Sequence, residues 1–316
     1  MASSSAETDN FIYASLPQLM ALEHRAVGLS FFARQPLSSI LSGSHASRIR
    51  GRGLSFDELR RYAPGDDLRH LDWRSSLRFG KPFVRSFTEE RDRPTLIVAD
   101  QRMSMFFGSQ RSLKSVTAAE LAAICAWIAF KAGDRVGGLV IGDERIDYIR
   151  PLRSRARVEA LFASIVRQNR ALSATAVEKD AQGQLDLGLR QCLELAGHDN
   201  LICVISDFAG ASGQTLKMLR ELKAHNDVIA LQVYDPLAMQ LPSKGRIVVT
   251  QGELQVELQI DRKQVQKPLG EFLSGRMREV AHLLNSSQVP LMMLSTHEDS
   301  LVQLRRELGR LVEVMR

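Results

Sequence analysis

The sequence predicts an α/β protein: an open, mostly parallel sheet with helices on both faces, preceded by an N-terminal helical and irregular lobe. Two observations point there. From Thr95 onward, short apolar runs rich in β-branched residues alternate with longer stretches of helical period, and strands that take turns with helices join in parallel. Before Thr95 the chain is rich in arginine and too irregular in pattern for a sheet.

Residues 1–10 are polar and are expected to be disordered. Ser15 to Arg34 carries Leu16, Leu19, Met20, Val27, Phe31 and Phe32 at spacings that suit an amphipathic helix ending near Pro36. A Ser/Gly-rich passage, Ser38 to Ser47, leads into an Arg-rich segment from Arg48 to Arg93, so that residues 11–92 make up the lobe. Within it, Ser55-Phe56-Asp57-Glu58 has capping-box form, which predicts a short helix through Tyr62 that a turn at Pro64-Gly65 stops.

The sheet domain, residues 93–316, has expected strands at Thr95 to Asp100, Arg135 to Ile141, Leu201 to Asp207, Val228 to Asp235 and Pro290 to Ser295. Expected helices are Val116 to Lys131, Ser154 to Gln168, Gln184 to Ala196, Gln214 to Ala224 and Ser300 to Val314. Thr117 and Glu120 offer a capping box for the first of these, and Gly133 can supply its stop. Ile146 to Arg150 should add an antiparallel edge strand after a turn at Gly142-Asp143. Residues 246–260 alternate strongly around Gln251-Gly252, which predicts an inserted hairpin before a helix from Glu271 to Leu284.

A chain of 316 residues with 44% hydrophobic content can bury a large core, which excludes disorder throughout. Its net charge of +6, from 42 basic against 36 acidic residues, favours acidic partners without demanding them. Cys125, Cys192 and Cys203 stand far apart among apolar neighbours, so neither a disulfide framework nor a zinc pattern is indicated, and buried thiols in a reducing compartment are expected. No export signal is visible: the apolar stretch after Asn10 is interrupted by Glu23, His24 and Arg25. No run approaches the ~20 apolar residues that cross a bilayer. The expected location is the cytoplasm.

In open parallel sheets, ligands gather where strands end. Asp100 and Asp207 each close an apolar strand and could face one site; equally, each could cap the next helix or turn.

The Arg-rich segment contains Gly51-Arg52-Gly53, Phe56-Asp57-Glu58-Leu59-Arg60, Tyr62, Pro64-Gly65-Asp66-Asp67, Arg69, Leu71-Asp72-Trp73, Arg78, Lys81-Pro82 and Glu89-Glu90-Arg91. Further on stand Gly133-Asp134-Arg135-Val136-Gly137, Ile205-Ser206-Asp207-Phe208 and Val233-Tyr234-Asp235-Pro236. Together these resemble the bacterial domain of unknown function 58 family over most of residues 48–240. The resemblance implies a von Willebrand factor A-like fold and an association with MoxR-type AAA ATPases, whose systems mature other proteins or load cofactors into them. The implied partners are such an ATPase and a client that the residues do not name.

Domains of that type often hold a divalent cation with an Asp-x-Ser-x-Ser loop, a Thr on a second loop and an Asp on a third, hard oxygen ligands that suit magnesium or manganese. Here Asp100-Gln101-Arg102-Met103-Ser104 puts Arg102 where the first Ser belongs, and Leu185 precedes Asp186 where the Thr belongs; Asp100, Ser104 and Asp207 remain. A guanidinium repels a metal, yet it can pair with Asp100 or Asp207 and neutralise them without one. No cofactor or bound cation is expected on this reading. The competing one turns Arg102 to solvent and keeps a weak site through water and Asp186.

The arginines of the signature block, including Arg60, Arg61, Arg69, Arg74 and Arg78, are interleaved with Asp57, Glu58, Asp66, Asp67 and Asp72, so much of the charge can be met locally. Trp73, beside Leu71 and Leu77, is expected to be a core anchor. Gly65 should supply the positive φ of a type II turn, and Asp67 should cap the segment after it. The block is read as a structural lobe, with a partner-binding surface as the sharper alternative.

Phosphate-loop, His-Glu-x-x-His, Cys-x-x-Cys and Gly-x-Ser-x-Gly signatures are missing from the sequence. The expectation is a non-enzymatic protein-binding adaptor whose partner face comprises Asp100, Arg102, Ser104, Asp186 and Asp207. One rival is a divalent-metal hydrolase or nuclease using Asp100, Asp186 and Asp207. The other is a nucleic-acid binder, which the interleaved acids and an aromatic content of 6% disfavour.

Overall fold

The structure, a computed structural model, describes residues 11–31, 54–63, 66, 68–89, 93–173, 181–238, 246–250, 255–259, 275 and 278–314. Its contacts divide the chain into two units: Met1–Ala33 with Arg93–Arg316, and Arg34–Asp92.

In the first unit, β3 (Pro94–Asp100), β4 (Arg135–Ile141), β6 (Leu201–Ser206), β7 (Asp227–Tyr234) and β10 (Leu291–Ser295) run parallel, and β5 (Ile146–Leu152) pairs antiparallel with β4. The order across the sheet is β10-β7-β6-β3-β4-β5. Side chains alternate across a strand, so Leu96 and Val98 enter one apolar layer while Ile97 and Ala99 enter the other. Helices α1 (Leu16–Arg25), α3 (Lys114–Lys131), α4 (Arg155–Ala171) and α8 (Ser300–Val314) contribute to the layer with Ile97. Helices α5 (Ala181–Leu195), α6 (Gly213–His225) and α7 (residues 278–286) contribute to the other.

Helix α3 is buried from Ser115 to Ala129 except for Glu120, and its alanines let it lie close on the sheet. It begins at Lys114, three residues before the expected capping box: Thr117 lies inside the helix, its hydroxyl paired with Ser112, while Glu120 accepts from Gln18 and Ser300. Gly133, with φ of 92°, supplies the left-handed stop. The indole of Trp127, fully buried, donates to the Leu19 carbonyl at 3.1 Å. That contact and the burial of Leu19 and Leu22 assign α1 to the sheet unit, which corrects its placement in the 11–92 lobe.

The second unit departs further from expectation. Leu54–Arg61, where the capping box predicted a helix, is strand β1, paired antiparallel with β2 (Phe83–Glu89). The register shifts between Phe56 and Glu58, and that irregularity breaks the two-residue alternation by which a strand is recognised. Helix α2 (Trp73–Phe79) comes directly after Asp72, whose carboxylate accepts from the Ser75 amide at 2.8 Å. Trp73 is exposed rather than a core anchor, because the hydrogen bond from the Phe83 amide to Ser76 Oγ holds the serine side of the helix inward.

Residues 1–10, the 38–47 passage, Gly51, Gly53, Pro64, Gly65 and Asp67 lie outside the described residues. Strands β8 (Arg246–Thr250) and β9 (Gln255–Gln259) pair antiparallel as the inserted hairpin; its turn at Gln251-Gly252 is outside the described residues too.

Candidate functional site

Strand order reverses between β3 and β6: chain connections lead from β3 toward β4 and β5 on one side, and from β6 toward β7 and β10 on the other. Asp100 ends β3, and Ser206 with Asp207 ends β6, so these carboxylates flank the crevice where an open sheet of this kind binds its ligands.

Arg102 curls back on Asp100. Its Nε donates to Oδ1 at 2.9 Å and its Nη2 to Oδ2 at 2.7 Å, and its own amide adds a third bond to Oδ1 at 3.0 Å. The arginine is 0% exposed and Asp100 1% exposed. Ser206 Oγ donates to Asp100 Oδ2 at 2.6 Å while accepting from the Phe208 amide at 2.8 Å. Nη1 and Nη2 also donate to the Ala209 carbonyl, each at 3.3 Å. A bulky residue in the left-handed region is strained, and Phe208, at φ 54°, is held there by these bonds and by its burial.

Asp207 has a different cation. Lys114 Nζ donates to its Oδ2 at 2.6 Å, Ala209 N and Ser104 Oγ donate to Oδ1 at 2.9 and 3.3 Å, and Arg102 Nη2 lies 3.9 Å away. Burial pushes the Asp207 carboxyl up, but Lys114 and Arg102 more than offset that and hold its pKa below the ordinary carboxylate value. Burial likewise opposes the charge of Arg102, and the adjacent Asp100 outweighs it, so the guanidinium keeps its proton more firmly than usual. Asp143, from the turn after β4, accepts the Met103 amide at 3.1 and 3.0 Å and fixes the loop between Arg102 and Ser104.

The structure thus brings Asp100, Arg102, Ser104 and Asp207 together. The carboxylate of Asp186 instead accepts from Thr215 Oγ1 at 2.7 Å, tying α5 to the capped start of α6. Leu185 packs in the apolar layer with Leu189 and Ile202. Lys114 is not singled out in the sequence, and Ser206 and Asp143, read there only as part of the family signature and of a turn, are not assigned to the site, since the partners of these three lie up to 106 residues away. For Lys114 a signal existed: a cation in the first turn opposes the helix dipole, which calls for a compensating anion.

These donors do not fit a divalent cation. Both Asp100 oxygens are engaged by a guanidinium, Asp207 is bonded to an ammonium, and Leu185, at the position that the family resemblance gives to a hydroxyl ligand, offers no oxygen. Among the described residues, no group of three His, Cys, Asp or Glu side chains could hold a metal.

The signature-block residues that are described organise their own unit. Arg60 grips Asp66 through two bonds of 2.8 and 2.6 Å, Asp66 accepts the Ala63 amide, and the Tyr62 amide reaches the Pro82 carbonyl. Asp72 takes Arg85 Nε at 2.7 Å, and Arg69 lies in the 3-10 turn Leu68–His70 that leads to it.

Fold and site together define an α/β protein with a six-stranded, mostly parallel sheet whose strand-end carboxylates are neutralised by the chain's own cations. More particularly, the chain belongs to the family described as protein of unknown function DUF58, which matches residues 58–269. It is 26% identical over 280 residues to the uncharacterized protein Rv1480 of Mycobacterium tuberculosis and to the uncharacterized protein Mb1516 of Mycobacterium bovis, covering 88% of this chain and 86% of each relative. Among solved structures, the conserved hypothetical protein BatB of Bacteroides thetaiotaomicron is similar at 11% identity and a TM-score of 0.41, covering 70% of this chain and 99% of that one. An aerotolerance-related membrane protein of Bacteroides fragilis is similar at 13% identity and a TM-score of 0.37, covering 69% and 99%. No helix among the described residues of the present chain is long and apolar enough to cross a membrane.

Proposed function

We propose that the chain is a von Willebrand factor A-like, non-enzymatic adaptor that binds other proteins through its strand-end face, in the cytoplasm, alongside a MoxR-type AAA ATPase that matures or remodels a client. The observation that carries this reading is the double neutralisation at the crevice, Arg102 on Asp100 and Lys114 on Asp207. Carboxylates engaged in this way are poor metal ligands and poor general bases, because a paired anion gives up its charge only at a cost. The same bonds hold the rim rigid, and a preorganised rim loses little entropy on binding. Ser104 and the exposed Phe107, whose ring lies 5.9 Å from Lys114 Nζ, stand on that rim.

The test is calorimetry between the purified chain and a MoxR-type ATPase from the same organism. Saturable binding that Phe107→Asp and Ser104→Arg weaken at least tenfold, with melting unchanged, is the expected result. Absence of binding together with magnesium-dependent phosphodiester cleavage, lost in Asp100→Ala, would replace the adaptor by the hydrolase.

A further inference from the structure

Helix α2 is amphipathic in the opposite sense to a helix that packs on a core. Its two serines face its own unit, Ser76 Oγ accepting the Phe83 amide at 2.8 Å, while Trp73 and Leu77 stand 69% and 82% exposed. Residues four apart share a helix face, so these two apolar side chains form one surface. Leu68 and Phe79, 65% and 61% exposed, add to the apolar character of the same stretch.

The orientation is built in. Asp72, itself buried, caps the first turn through the Ser75 amide and is anchored by Arg85. The Asp72 amide bonds the Phe83 carbonyl of β2, and Gly80 at φ 65° closes the last turn. Three attachments to the hairpin therefore keep Trp73 and Leu77 outward. A Trp and a Leu kept facing water are an unfavourable arrangement unless something covers them.

Charge indicates the kind of surface that covers them. Arg74 and Arg78, both exposed, alternate with Trp73 and Leu77 along the helix, and Arg74 has no ion-pair partner among the described residues. Residues 34–92 carry twelve basic against eight acidic side chains, an excess of four out of the six of the whole chain. A second copy would bring like charge against like. Trp and Arg side chains are the anchors that protein interfaces favour, and a guanidinium matches a carboxylate in two bonds. We propose that the outward face of helix α2 docks into an apolar surface edged with carboxylates on a partner protein. This surface does not depend on the strand-end reading.

Tryptophan fluorescence of the full chain reads it directly, because Trp73 is exposed and the other tryptophan, Trp127, is fully buried. The probe is a synthetic amphipathic helix of leucine and glutamate, with a lysine-for-glutamate version as control. Expected results are acrylamide quenching of the free chain that Trp73→Phe abolishes, and a blue shift with loss of quenching when the acidic peptide, but not the basic one, is added. Leu77→Ala should weaken peptide binding at least tenfold without moving the melting temperature, and Arg74→Glu with Arg78→Glu should exchange the preference to the basic peptide. Phe107→Asp, on the crevice rim, should leave peptide binding intact, which separates this surface from the crevice.

Three results would overturn the proposal. They are Trp73 already shielded from acrylamide in the free chain, a blue shift given by phosphatidylserine vesicles and not by the acidic peptide, and a concentration-dependent shift of the chain alone accompanied by dimerisation in sedimentation.

Discussion

Arg102 and Asp100, two residues apart in the chain, form a two-pronged ion pair sealed from solvent at the end of the central strand β3. A short side chain at 102 would leave Asp100 buried with only Ser206 and the amide at position 102 to satisfy it. Breaking a buried pair from one side costs about 3–5 kcal/mol. Arg102→Ser should lower stability by that amount in chemical denaturation. Asp100→Asn combined with Arg102→Met should recover a large part, because the uncompensated charge is then gone. A single variant as stable as the parent would show that the pair contributes nothing.

Lys114 sets the acid response of Asp207. The folded carboxyl titrates below its unfolded value, so between the two values the folded state binds fewer protons and stability falls as pH falls. The contribution of Asp207 is complete above the ordinary carboxylate range and is lost as pH drops through the folded value. Removing the ammonium in Lys114→Met leaves Arg102 and the Ala209 amide alone to oppose burial, so the carboxyl rises and the decline should begin at higher pH. Denaturation curves collected from pH 7 to pH 3 check this, and superimposable pH profiles for the two proteins would contradict it.

Gly138 lies in β4 where a Cβ would stand 2.1 Å from the Ile97 carbonyl oxygen, backbone against backbone. No rotamer change relieves such a clash, and the strand pair β3–β4 would have to part. Gly138→Ala should cost at least ~2 kcal/mol, near the upper part of the overpacking range. Gly213→Ala, where nothing lies within 4 Å, is the control and should be close to neutral.

Asn169 links the crevice to the N-terminal segment. Fully buried, it donates to Gln101 Oε1 at 2.9 Å and accepts the Ala14 amide at 2.8 Å, while Gln101 in turn donates to the Ser115 carbonyl. Asn169→Leu would leave a buried amide and a buried carbonyl oxygen unpaired, at about 1–3 kcal/mol each. The expected result is lower stability together with faster amide exchange at Ala14; unchanged exchange there would detach α1 from this network.

The sheet was legible because its strands are buried on both faces and read as continuous apolar runs: Arg135–Ile141 coincides with expectation at both ends, and the apolar runs stop at Asp100, the last residue of β3, and at Asp207, just after β6. The signature block was not. The shift between Phe56 and Glu58 hides the period of β1, and the capping-box residues there satisfy a helix pattern that the pairing with β2 overrides. Trp73 was misplaced because a side chain's size says how much area it can bury and nothing of which way its helix turns; the bonds of Asp72 and Ser76 decide that. In the crevice, the pairing of Arg102 with a strand-end aspartate could be foreseen from charge and spacing. The pairing of Lys114 with Asp207 spans 93 residues and needed the fold.

The most direct test of the claim that the chain's own cations stand where a metal would is a calorimetric titration of magnesium and manganese into the parent protein, Arg102→Ser, and Arg102→Ser with Leu185→Thr. No stoichiometric binding by the parent or the single variant, and binding regained only when both substitutions are present, is the expected result. One ion bound per parent chain at micromolar affinity would contradict it.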